Sequence, residues 1–115
     1  KRNMVAKTYT PERGDLVWLD FAPARGHEQS GRRPALVVSR QEYNVKSGLM
    51  LVCPATSAIK GYPFEVSVSV KDIRGAVLVD QMRSIDWKAR EVTFVGSASK
   101  EEIEEILAKI FALVQ

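Results

Sequence analysis

The chain contains one cysteine, Cys53, and one histidine, His27. A single thiol excludes an intrachain disulfide, and one thiol with one imidazole is too few ligands for a Cys/His zinc site. That shortage points to a reducing, cytoplasmic setting, and no metal or cofactor is expected. No apolar run approaches the roughly 20 residues that a bilayer-crossing helix needs, and no charged-then-apolar leader opens the chain. A soluble, unexported protein without a membrane partner is therefore expected. Linkers, repeats and low-complexity tracts are also missing. With 115 residues, 45% of them hydrophobic, the chain has material for one modest core. Residues 1–8 are set apart as an N-terminal extension outside the fold, and 9–115 as a single domain.

What is present is basic charge, unevenly placed. The chain carries 17 Lys and Arg against 14 Asp and Glu. The segment from Lys100 onward holds two of those bases and four of the acids, which leaves 15 basic against 10 acidic groups before it. A basic body with an acidic tail suits a polyanionic partner such as nucleic acid; an ordinary mixed surface of this charge is the competing reading.

Hydrophobic periodicity supplies the fold. Leu16 to Phe21, Pro34 to Ser39 and Leu49 to Cys53 are short apolar runs bounded by turn residues, as buried strands are. Phe64 to Val70 alternates apolar with polar, the mark of a strand with one wet face. Ala76 to Val79 after Gly75, Met82 to Trp87, and Val92 to Val95 continue the series, and a short helical turn fits Gln41 to Val45. The period then changes. Ser99-Lys100-Glu101-Glu102 is a capping box, followed by Ile103, Ile106, Leu107, Ile110, Leu113 and Val114 at three-and-four spacing. The fold class is mainly β with a C-terminal α-helix: a small, strongly bent antiparallel sheet or barrel.

Between the first two strands lies Arg25-Gly26-His27-Glu28-Gln29-Ser30-Gly31-Arg32-Arg33-Pro34. A loop held by two strands is where function concentrates, and Gly26 and Gly31 allow a backbone to pass close to phosphate. An ordinary solvated hairpin has the same composition. Arg33 stands out because Pro34 biases it to an extended backbone at the start of a strand, which holds its side chain in place.

Four motifs in order carry a resemblance: Gly14-Asp15-Leu16-Val17-Trp18; Glu28 through Ser39, reading EQSGRRPALVVS; Lys60-Gly61-Tyr62-Pro63-Phe64-Glu65-Val66; and Asp80 through Trp87, reading DQMRSIDW. Together they resemble the MazF/PemK toxins from about Tyr9 onward. The resemblance implies a homodimeric SH3-like barrel with a C-terminal helix, the fold shared with CcdB. It implies a metal-independent, sequence-specific endoribonuclease that cleaves single-stranded mRNA and is held inactive by a MazE-like antitoxin. It further implies Glu28 as base, Arg33 as phosphate clamp and possible proton donor, and Thr56 as a phosphate-contacting or catalytic hydroxyl. A strand-end hydroxyl capping a turn is the other reading of Thr56. Arg25 and Ser57 are expected to help hold RNA. Gln29, Arg32, Asp80 and Gln81 match positions around the substrate groove or dimer seam.

Other polar and aromatic residues are read more plainly. His27 is expected to be a loop histidine without a catalytic duty, since geometry comes before pKa in choosing a base. Cys53 ends an apolar strand and is expected to be packed rather than nucleophilic. Trp18 and Trp87 are expected in the core or an interface, with base stacking open to either if exposed. Two other function classes compete. A CcdB-like gyrase poison is disfavoured because such chains end in Trp-Gly-Ile, whereas this one ends Leu113-Val114-Gln115. A noncatalytic nucleic-acid-binding barrel gives no reason for the carboxylate of Glu28 in an anion-binding loop.

Overall fold

The computed structural model describes residues 9–21 and 31–115. The strands are β1 (Asp15–Asp20), β2 (Arg32–Val37), β3 (Leu49–Thr56), β4 (Glu65–Val70), β5 (Ile73–Leu78), β6 (Arg83–Asp86) and β7 (Thr93–Ser97). Helix α1 (Gln41–Ser47) joins β2 to β3, a 3-10 turn spans Val79–Gln81, and α2 (Lys100–Val114) ends the fold. Neighbouring strands are antiparallel in the order β4-β5-β3-β2-β1-β7. β3 is shared: Leu49 to Val52 pair with β6, and Ala55 and Thr56 pair with β5.

That sharing curls the sheet strongly, and its two faces bury separate clusters. Leu16, Leu36, Cys53, Val66, Val68 and Val77 fill the inner one, under α2. Val17, Leu19, Phe21, Val37, Met50 and Ile85 fill the other. Helix α2 begins with the expected capping box: Ser99 Oγ accepts from Glu102 N at 3.1 Å, and Glu102 Oε1 accepts from Ser99 N at 2.9 Å. Glu102 Oε2 also accepts from Ser69 N at 2.9 Å, which ties the first turn of the helix to β4. Ile103, Ile106 and Ile110 pack on the inner cluster, whereas Phe111, Leu113 and Val114 stay exposed. The helical stripe therefore serves the core as far as Ile110 and leaves the last turn exposed.

Helix α1 is longer than the single turn expected from the sequence, and Asn44 explains its position. Its side chain is fully buried; Nδ2 donates to Pro11 O at 2.9 Å and Ser39 O at 3.3 Å, and Oδ1 accepts from Ser39 Oγ. Trp87 Nε1 donates to the Asn44 carbonyl at 3.0 Å, so Trp87 belongs to the core.

Candidate active site

Strand alternation extends the inner core face into a cleft. Leu16 and Trp18 share one face of β1; Leu36, Pro34 and Arg32 share the matching face of β2; Cys53, Ala55 and then Ser57 follow along β3. These side chains pass from aliphatic to polar toward the strand ends, where a cleft of about 360 Å³ is lined by residues of both faces. Trp18, Arg32, Arg33, Thr56 and Ser57 line it together with the Asp72–Gly75 stretch.

Arg33 and Thr56 both line this cleft from neighbouring strands. Ala35 pairs with Pro54 and Val37 with Val52, and beyond these pairs β2 reaches back to Arg33 while β3 runs on to Thr56. On its other side Thr56 pairs with Ala76 of β5. Thr56 Oγ1 accepts from Ala58 N at 3.1 Å, which is the turn-capping contact weighed from the sequence. A hydroxyl that accepts one hydrogen bond still has its O–H to donate, so the two readings of Thr56 are compatible. Arg32 extends across β1, its Nη2 donating to Thr93 Oγ1 at 3.2 Å. Trp18 is half-buried and lines the cleft, so of the two tryptophans it is the one with a ring available to a ligand.

Gly31 closes the strand pair below the cleft. Phe21 N donates to Gly31 O at 2.9 Å, and Gly31 has φ +78°, the left-handed conformation that glycine tolerates. Arg25, Gly26, His27, Glu28 and Gln29 lie outside the described residues. Asp80 and Gln81 sit in the 3-10 turn, and neither lines the cleft; Met82, next in sequence, lines an apolar groove instead. Partial desolvation and the nearby Glu65 charge raise the Asp80 carboxyl, while its own backbone N–H pulls the other way.

The residues missed from sequence are Asp72 to Gly75. Gly75 was expected just before a strand, but it lies inside β5. A Cβ on Gly75 would stand 2.5 Å from Thr56 O, so the strand reaches Thr56 only because that position carries no side chain. A glycine beside an apolar run reads equally as a turn, and long-range pairing is what separates the two.

Cys53 is fully buried, and its thiol is pushed up to about 12 by burial, with the Asp80 charge adding to it. A thiol with a pKa this high is almost wholly protonated at pH 8, so Cys53 is expected to resist iodoacetamide in the folded protein and to label on denaturation. Mass spectrometry before and after urea checks this; rapid native labelling would contradict it. Among the described residues, no group of three or more His, Cys, Asp or Glu side chains is placed to hold a metal ion, and no helix is long and apolar enough to cross a membrane.

Residues 12–114 match the family model described as PemK-like, MazF-like toxin of type II toxin-antitoxin system. The endoribonuclease toxin MazF of Escherichia coli K12 is 48% identical over 106 residues, covering 92% of this chain and 96% of that protein. The endoribonuclease toxin ChpB of the same strain is 41% identical over 110 residues, covering 90% of this chain and 94% of that one. Among solved structures, MazF from Deinococcus radiodurans superposes with a TM-score of 0.87 at 46% identity, covering 93% of this chain and 98% of that one. The chain belongs to the PemK/MazF-like toxin family. It is an endoribonuclease toxin of that family.

Proposed function

We propose that the chain cuts single-stranded mRNA in a sequence-specific, metal-independent reaction at the cleft around Thr56. The observation that carries this is that Arg33 and Thr56, from neighbouring strands, line one cleft with the half-buried Trp18. In the reaction the ribose 2′ oxygen attacks its own phosphorus while its proton passes to a base. The bond to the 5′ oxygen breaks and that oxygen takes a proton, giving a 2′,3′-cyclic phosphate and a 5′-OH. Negative charge builds on the nonbridging oxygens, which the Arg33 guanidinium and the Thr56 hydroxyl stabilise as donors. A guanidinium gives up a proton only with difficulty, so Arg33 delivers one only in concert with P–O cleavage. Glu28 is the proposed base, with Arg25, Gln29, Arg32 and Ser57 as RNA contacts. Trp18 offers its face to an unstacked base, worth about 1–3 kcal/mol in comparable stacks.

The working form is a homodimer in the cytoplasm. A groove of about 410 Å³ lined by Val38, Tyr43, Leu51, Met82, Leu107 and Phe111 supports self-association, since these side chains leave an apolar face open beside the exposed end of α2. Asp80 and Gln81 lie next to this face and are assigned to the seam between subunits. The inhibiting partner is a MazE-like antitoxin, in keeping with the solved MazE-MazF complexes from Deinococcus radiodurans, in one of which MazF matches this chain at 42% identity with a TM-score of 0.80. An acidic antitoxin segment that folds along the basic cleft excludes RNA.

Incubating the protein with a long unstructured RNA in excess EDTA is expected to give cuts at one short sequence, with cyclic-phosphate and 5′-hydroxyl ends. Intact RNA would overturn the ribonuclease reading, and cutting that stops only on chelation would overturn its metal-independent form.

A further inference from the structure

The Asp72–Gly75 wall of the cleft has no part in the chemistry above. Among the described residues, Arg32 and Arg33 of β2 and Arg74 of β5 line one small cleft together with a single carboxylate residue, Asp72. A cleft bordered by three basic residues favours a polyanionic ligand.

Arg74 is also held on a rigid element. β4 and β5 form a tight hairpin in which Val70 pairs with Ile73 and Ser69 with Arg74, and Lys71 takes a left-handed φ of 55° at the turn. Ile73 packs against the inner core, so the alternation of the strand puts Arg74 on the opposite face, the one that Ala76 and its partner Thr56 share. Glu102 borders a shallow depression that Arg74 also lines. Both Glu102 oxygens already accept backbone N–H groups, from Ser99 and Ser69. Gly75 brings the backbone next to Arg74 against Thr56.

From this placement we propose that Arg74 is a second phosphate clamp, gripping a phosphodiester that flanks the scissile one and so fixing the path of the RNA through the cleft. The proposal rests on reading the cleft as the RNA site. A guanidinium suits the task because its planar fork matches two phosphate oxygens at once.

The test uses the full protein and an oligoribonucleotide of a cleaved sequence carrying a 2′-deoxy sugar at the scissile position. For Arg74→Ala, affinity near physiological salt is expected to fall about tenfold, and the slope of log K against log salt to flatten by about 0.7, the value for one lost contact to a single strand. With cleavable RNA, KM should rise while kcat stays within about twofold. Arg74→Lys should restore the salt slope and part of the affinity. A methylphosphonate walked along the flanking phosphates should weaken the wild type at one position where Arg74→Ala is already insensitive. Unchanged affinity and salt slope, a kcat loss at constant KM, or methylphosphonate effects identical in both proteins would each overturn the proposal. If the wild type neither cuts nor binds RNA, the ribonuclease reading fails as well; if it cuts normally and only the Arg74 variants are silent, the clamp alone fails.

Discussion

Arg33→Ala is expected to lower kcat for RNA cleavage about 10²–10³-fold, the cost of removing one preorganised donor from a transition state that gathers charge. The size follows from where Arg33 sits. It is half-buried near the start of β2 and lines the same cleft as Thr56, so its charge acts in a partly desolvated site where screening by water is weak. Arg33→Lys keeps the charge but loses the fork, and is expected to recover only a small part of the rate. Cleavage of a fluorogenic oligonucleotide, with thermal melts to confirm folding, measures both. A loss below tenfold in a folded Arg33→Ala protein would remove this side chain from the reaction.

The second large effect is on stability. Gly75→Ala places a Cβ 2.5 Å from Thr56 O and 3.2 Å from its carbonyl carbon. These are backbone atoms and cannot swing aside, so β3 and β5 must separate at their last shared pairs. A cost of about 1–3 kcal/mol is expected, as for other overpacked sites, with a melting temperature lower by about 4–8 °C for each kcal/mol. Activity should fall further than stability alone explains, because the group displaced is Thr56. Gly31→Ala is the contrast: its φ of +78° strains any other residue, yet nothing stands within 4 Å of the added carbon. It should cost about 1 kcal/mol through backbone strain alone. Equal melting curves for wild type and Gly75→Ala would show that the strands tolerate the approach.

Much of the fold could be read from local patterns because the physics there is local. Alternation at Glu65 to Val70, apolar runs at Leu16 and Leu36, and the Ser99 to Glu102 capping box each specify an element from neighbouring residues alone. Arg33 and Thr56 were singled out through motifs, and both line the cleft. Trp18 and Trp87 look alike in sequence; only the donation from Trp87 to Asn44 and the opening beside Trp18 assign one to the core and the other to the cleft. Arg74 could not be found in this way. It carries no motif, and it reaches the cleft through the pairing of β5 with β3, contacts between residues distant in sequence. Glu28 and its neighbours lie outside the described residues, so the base rests on the motif.

The strand order also bears on how the protein is made. Synthesis proceeds from the N-terminus, so Trp18, Arg33 and Thr56 leave the ribosome before Asp72 to Gly75, and β1 waits for β7 to pair its second edge, Asp15 with Ser97. Closure by such distant pairs is slow compared with forming helices or hairpins. A nascent chain therefore holds Trp18, Arg33 and Thr56 before the β5 wall that completes their cleft has been made.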